Sequence, residues 1–223
     1  MSTFCNDRHG QSCESSNMKF LCFSDLHRNV EAAAKLVENA SAADVVIGAG
    51  DFATRRQGVE DTLKVLSKIT KPAMLVPGNG ESASELEDAV RVTGWKSAKV
   101  LHGSGWVVDG VQFWGVGGGI PVTPFGDWSY DFSEAEAGPL LAGGASADVL
   151  VVHSPPLDTV DYDSSGQIRG SQAIRAVVEK TQPKLVVCGH IHSDWEKQVR
   201  LAETEVLNAG PRGVLIEIDV SVD

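Results

Sequence analysis

No stretch of this sequence approaches the ~18–20 consecutive apolar residues that a membrane-crossing helix needs, so no transmembrane segment is expected. The first residues, MSTFCNDRHGQSCESSNM, lack the apolar core of a secretory signal. They read as a loose polar tail over residues 1–18, with the fold starting near Lys19. Positive charge is scarce. Nineteen Lys and Arg against 30 Asp and Glu give a formal net charge of −11, which argues against a broad basic face for gripping nucleic acid. A phosphate-bearing ligand stays open, because bound metal ions can supply positive charge locally. Cysteine is sparse, with four in 223 residues. Cys22 and Cys188 fall in apolar runs and read as buried thiols, whereas Cys5, His9 and Cys13 read as part of the tail rather than as a metal knuckle. A soluble, cytoplasmic protein with reduced thiols is therefore expected. No repeat, low-complexity linker or charge block divides the chain, and its length suits one domain over residues 19–223. Nothing in the sequence sets the oligomeric state.

What the chain does have is alternation. KFLCFS (19–24), DVVIG (44–48), AMLV (73–76), DVLVV (148–152) and KLVVC (184–188) are continuous apolar runs, the pattern of strands buried on both faces. Between them lie helical stripes. Val30, Ala33, Ala34 and Val37 follow a candidate Asn29 cap, and Val59, Leu63, Leu66 and Ile69 form a second stripe. Ser82 and Glu85 have capping-box spacing ahead of Leu86, Ala89 and Val90, and Ser171 precedes Ile174, Val177 and Val178. Residues 99–117 read as strands joined by glycine turns, with Asp109-Gly110 a hairpin signal, and residues 196–220 read as a meander. Together these predict an α/β fold: a four-layer αββα sandwich of two mixed sheets flanked by helices.

The placement of the ionisable residues carries the functional signal. The five apolar runs end in SDLH, GAGD, PGN, VVHS and CGHIH. Each delivers Asp, Asn or His just past a strand: Asp25 and His27, Asp51, Asn79, His153, and His190 with His192. In α/β sheets that edge is where ligand sites are built. Oxygen and imidazole donors without thiolate suit manganese, iron, zinc or a similar first-row ion rather than a structural cysteine site. Seven donors are too many for one such ion and suit two that share a carboxylate.

DLH, GD, GN, H and GHIH, in this order and spacing, resemble the motif set of the calcineurin-like metallophosphoesterases over Lys19 to about Asp219. The compact size is most similar to the small prokaryotic, phosphodiesterase-type members. The resemblance implies two divalent ions, with manganese expected and iron, zinc, nickel or cobalt as alternatives. It assigns Asp25, His27, Asp51 and His192 to one ion and Asp51, Asn79, His153 and His190 to the other, so that Asp51 bridges. It implies hydrolysis of a phosphodiester or other small phosphate ester by a metal-activated hydroxide. Asp51 and Asn79 sit at the centre of that chemistry, and Arg55 is a candidate phosphate contact because an arginine follows GD at this spacing in phosphoprotein phosphatases. The LNAGP stretch around Asn208 resembles a turn near the end of such chains, with Ala209 where proline is common.

One departure stands out. Many members carry His directly after the Asn, where it assists the leaving oxygen; here the residue is Gly80. A general acid contributes about 10²–10⁴-fold, so slow turnover of poor leaving groups is expected. His102 and Glu81 are the other groups that could take that role. Gly80 also favours an alternative, a non-catalytic scaffold on the same fold. GVGGGIP (115–121) lacks dinucleotide-binding spacing and reads as a loop near the site. The aromatic-rich stretch 123–132 reads either as a hydrophobic plug or as a substrate-facing rim.

Overall fold

The computed structural model describes residues 15–221. Cys5, His9 and Cys13, and most of the expected tail, lie outside the described residues. β1 runs Ser15–Phe23, starting four residues before Lys19. Ser15 to Met18 pair only with the last strand, Ser15 opposite Ser221 and Met18 opposite Ile218. That polar, one-sided pairing leaves no apolar run in the sequence to reveal it.

The central elements follow the expected alternation. α1 (Val30–Asn39) leads to β2 (Val45–Gly48), α2 (Val59–Leu66), β3 (Ala73–Leu75), α3 (Ala83–Thr93) and β4 (Ala98–Val100). β5 (Ser104–Val108), β6 (Val111–Val116), α4 (Glu134–Ala142), β7 (Val149–Val152), α5 (Gln172–Thr181) and β8 (Leu185–Cys188) come next. β9 (Gln198–Leu201), β10 (Thr204–Asn208) and β11 (Val214–Ser221) close the fold. The first sheet has the order β11-β1-β2-β3-β4 and the second β5-β6-β7-β8-β10-β9.

The period-two alternation of side chains explains the continuous apolar runs. Phe20, Cys22, Val45, Ile47, Val149, Val151, Leu185 and Val187 point between the sheets, where Phe20 meets Phe113 edge-on at 5.9 Å. Leu21, Phe23 and Val46 face outward under α1–α3. Leu150, Val152, Val186 and Cys188 face outward under α4 and α5. Each such fully buried side chain contributes about 1.5–3 kcal/mol, so both faces must be apolar for the strand to sit here. The result is the αββα sandwich that the pattern implies.

The caps act as their sequences suggest. Asn29 accepts from the Ala32 amide, Ser82 and Glu85 form a capping box, and Ser171 accepts from Ile174. α4 is not signalled in the sequence; Gly138 and Pro139 interrupt its stripe, although Ser133 and Glu136 box its start. Two expected blocks divide between sheets. β4 belongs to the first sheet, while β5 and β6 form a hairpin in the second through Asp109 and Gly110, both at positive φ. The C-terminal residues are likewise not one meander: β9 and β10 pair in the second sheet, and β11 crosses to β1. Local hairpin signals say nothing about which sheet a strand joins. Among the described residues no helix is long and apolar enough to cross a membrane.

Candidate metal centre

The C-terminal ends of β1, β2, β3, β7 and β8 converge at one edge. Asp25, His27, Asp51 and His190 all adopt positive φ, between 44° and 68°. Such backbone is costly for residues with a Cβ and persists only where the surroundings over-determine it. Here the loops are stitched to one another. The Asp25 amide donates to Gly50 O at 2.9 Å, His27 to Asp51 O at 2.9 Å, and Arg28 to Phe52 O at 3.0 Å.

The seven donors predicted from sequence are brought together. Nε2 of His27 faces Nε2 of His192 at 3.1 Å, and His192 lies 3.7 Å from Asp25 Oδ1. Asn79 Oδ1 is 3.2 Å from His153 Nε2 and 3.1 Å from His190 Nδ1. Asp51 stands between the two groups, with Oδ1 3.5 Å from His153 and Oδ2 3.6 Å from His27. Two sets of candidate ligand atoms converge closely enough to share an ion, Asp25–His27–His192 and Asp25–Asp51–His153. Asp25 thus reaches both halves.

Tautomers follow from the outer hydrogen bonds. Nδ1 of His27 can donate to Ala53 O at 3.2 Å and Nδ1 of His153 to Ala49 O at 2.8 Å, leaving both Nε2 lone pairs aimed inward. Burial, reinforced by His153, pushes His190 down to about 3, so it is a neutral imidazole. Burial also holds His192 below its usual range. At His153, burial opposes the charged form, but Asp51 and Asp25 outweigh it and the net shift is upward. Carboxylate oxygens, an amide oxygen and imidazole nitrogens gathered within about 3–4 Å of one another, without thiolate, are a donor set that fits divalent metal ions.

Around the donors lies a shell that sequence reasoning mostly missed. Glu81 is fully buried and accepts from the amides of Asp51, Gly78 and Ala53 at 2.7–2.9 Å, clamping the Asp51 and Asn79 loops together. Burial first, then the Asp51 charge, raises it to about 7. Its carboxyl therefore lies under the site and does not stand in for the missing histidine. Gly78 permits the clamp, because a Cβ there would meet Asp51 Oδ1 at 2.0 Å. Asp25 Oδ2 accepts from Ser24 Oγ at 2.6 Å and from the Trp195 indole at 3.0 Å, which turns Oδ1 toward the centre. The Trp195 ring also packs on His192, centroids 4.4 Å apart. Asn79 Nδ2 donates to Ser129 Oγ at 2.9 Å, and Ser129 donates to Asp131, which fixes the amide with Oδ1 facing the histidines. Asn208 donates to the carbonyls of Gly189 and Ile191, bracing the GHIH turn. No periodicity marks these partners; only an acid in the buried NGES turn and the DWSYD cluster give a local signal.

The centre opens into a cleft of about 740 Å³. Arg55, in the turn before α2, lines it and has no carboxylate partner among the described residues. Residues 121–125 and Trp128 line one wall, so of the two readings of the 123–132 stretch the structure favours the rim over the plug, and the end of the 115–121 loop does lie near the site. His102 does not line the cleft. It accepts from the Gly117 amide and packs between Tyr130 and Phe132, and burial lowers its pKa. Gly80 does line it, and its amide donates to Asp51 Oδ1 at 2.7 Å.

An αββα sandwich that gathers carboxylate, imidazole and amide donors at one strand edge defines a candidate metal-dependent hydrolase. The chain belongs to the calcineurin-like phosphoesterases, whose family model matches residues 18–194. Solved structures with the same fold include TT1561 of Thermus thermophilus, 17% identical, TM-score 0.68, covering 93% of this chain and 100% of that one. A dimetal phosphatase from Danio rerio is 10% identical, with TM-score 0.61 and coverage of 92% and 99%. An archaeal phosphodiesterase is 14% identical, with TM-score 0.51 and coverage of 86% and 84%. At these identities the likeness is one of fold. No curated protein matches the chain.

Proposed function

We propose that the protein is a dinuclear metal-dependent phosphodiesterase acting on small phosphate esters, with manganese as the working ion. The observation that carries this reading is Asp51, whose two carboxylate oxygens face different histidines on opposite sides. Asp25, His27 and His192 would hold one ion with Asp51, and Asn79, His153 and His190 the other. Two such ions supply an activated water and neutralise charge on the phosphate oxygens.

The remaining work falls to the chain. Asp51 sets the spacing of the two halves, and Glu81 holds its backbone still. His27 and His153, anchored through Nδ1 to the Ala53 and Ala49 carbonyls, keep Nε2 aimed inward, and His190 presents a neutral ring. Arg55, an unpaired guanidinium at the cleft, binds a phosphate oxygen. The bond from phosphorus to the leaving oxygen breaks as water oxygen, having lost a proton to solvent, bonds to phosphorus, and the leaving oxygen departs as an anion that takes a proton from solvent. Neither His102 nor Glu81 is placed to give that proton, so substrates whose leaving groups need none are favoured. A diester rather than a monoester is supported by the apolar wall beside the centre, which suits a second ester group.

Purified protein with added manganese should hydrolyse bis-p-nitrophenyl phosphate, and faster than p-nitrophenyl phosphate. Full activity after exhaustive chelation, or no activity with any divalent ion, would overturn the assignment. A faster monoester would overturn only the diester preference.

A further inference from the structure

The cleft is larger than the chemistry requires. Its volume of about 740 Å³ is in the range that encloses a whole small molecule, about 300–1,000 Å³. Its wall carries a cluster of exposed apolar side chains. Eight large hydrophobic side chains are exposed among the described residues, and three of them, Val122, Phe125 and Ile168, line this cleft. A fourth, Tyr162, is bridge-paired to Ile168. Isolated exposed apolar residues need no explanation, but a cluster beside a reactive centre does.

The shape of the wall narrows the occupant. Phe125 and Trp128 lie within 15° of parallel with centroids 5.5 Å apart. At van der Waals spacing that separation slips the rings by about 4 Å, leaving part of each face uncovered. The Arg55 guanidinium, also planar, sits 5.6 Å from the Trp128 centroid. A slipped, near-parallel ring pair at the cleft wall favours another flat π-system over an aliphatic chain, with the Arg55 cation over the Trp128 ring adding to the stack. The wall is fixed relative to the metal centre, since Tyr130 N donates to Asn79 O and Asp131 accepts from both Thr123 and Ser129. Away from the metal centre, the cleft is lined by two arginines, Arg55 and Arg169, and Arg169 is bonded to Asp163 at 2.8 Å.

We infer that the substrate is a small phosphodiester bearing one aromatic or heteroaromatic ring on its retained ester group, with the ring seated on the Phe125–Trp128 face. This rests on the phosphodiesterase reading above. The ring binds outside the reacting atoms, so Phe125 and Trp128 are specificity residues rather than catalytic ones.

Three substrates sharing p-nitrophenolate as leaving group test this: the methyl, 2-cyclohexylethyl and 2-(1-naphthyl)ethyl p-nitrophenyl phosphodiesters, with manganese. The naphthyl ester should exceed the methyl ester in kcat/KM by at least about tenfold and the cyclohexyl ester by about two- to tenfold. Trp128→Leu and Phe125→Leu should each collapse the naphthyl-to-methyl ratio, mainly through KM. Phe125 is half exposed, so its replacement does not threaten the fold. Equal rates for the three esters, a cyclohexyl ester as good as the naphthyl one, or a ratio that survives both substitutions would overturn the inference. If no ester is hydrolysed, the phosphodiesterase reading fails, and calorimetry with 2-(1-naphthyl)ethyl methyl phosphate decides the subsite. Binding to the wild type that is lost in Trp128→Leu upholds it, and no binding overturns it.

Discussion

The two halves of the metal centre share Asp51 but not their access to water. On one side His153 is fully buried and Asn79 almost so, with His190 half-buried; on the other Asp25 is buried but the His27 and His192 side chains keep 32% and 50% of their exposure. Each half has one histidine anchored to a backbone carbonyl, His153 to Ala49 and His27 to Ala53; beyond that the buried half is braced by Ser129 and the open half by Ser24 and Trp195. A buried donor set loses little freedom when an ion binds, whereas an open one competes with water and exchanges its ion readily. The buried half should therefore hold its ion more tightly and the open half should face incoming substrate.

The largest effect expected is common to both halves. Asp51→Asn removes the shared carboxylate and should cost at least about 10²–10³-fold in kcat/KM, with fewer than two ions bound by elemental analysis. Next comes the asymmetry itself. His153→Ala should lower unfolding stability by about 2–4 kcal/mol in denaturant titrations, because it leaves a cavity and an unpaired Ala49 carbonyl. His192→Ala, on the exposed side, should cost less than about 0.5 kcal/mol while still losing an ion. Equal losses from the two would break the comparison.

The outer partners give a finer contrast. Trp195→Phe keeps a ring against His192 but removes the donor to Asp25, and should weaken the open half's ion about 10–100-fold by metal titration. Ser129→Ala should do the same to the buried half. If each variant weakened the opposite ion, the assignment of residues to halves would be wrong. Gly80→His is the next smaller change. A Cβ there would lie 3.1 Å from Ala53 O and from Asp51 Oδ1, so the loop must shift by a few tenths of an ångström. Where it does, esters with alkoxide leaving groups should gain up to about 10²-fold while p-nitrophenyl esters gain nothing, read from the leaving-group dependence of kcat.

The smallest effect concerns the wall rather than the centre. Burial depresses the pKa of His102 in the folded state, so the unfolded chain binds its proton more readily. Stability is then complete above the ordinary histidine value near 6.5 and is lost as pH falls below it. His102→Gln should flatten that acid-side loss in thermal melts between about pH 7 and 5. An unchanged pH profile would show that His102 does not couple to folding.

Much of this was legible along the chain. The strands of the sandwich core were readable because a strand buried on both faces must be apolar throughout, and the sheet edge was readable because ligand-type residues end those same strands. The helix at Glu134–Ala142 was not, since Gly138 and Pro139 hide it, and neither was the switch of β4 and β11 to the first sheet. Glu81 could be seen but not understood: its role as a clamp depends on three amides, two of them some 30 residues away along the chain. Trp195 carried no signal at all, because its partner Asp25 is 170 residues distant.

The sequence by itself determined the layer architecture and the seven candidate ligands, because hydrophobic period and strand-end position are local properties, and the ordered DLH, GD, GN, H and GHIH motifs carried the family resemblance. Only the tertiary structure decided which oxygen of Asp51 faces which histidine, that Gly80 has no substitute among His102 and Glu81, and that the 119–132 segment is both the brace of Asn79 and the wall of the cleft. Those facts depend on contacts between residues far apart along the chain, which no local pattern encodes.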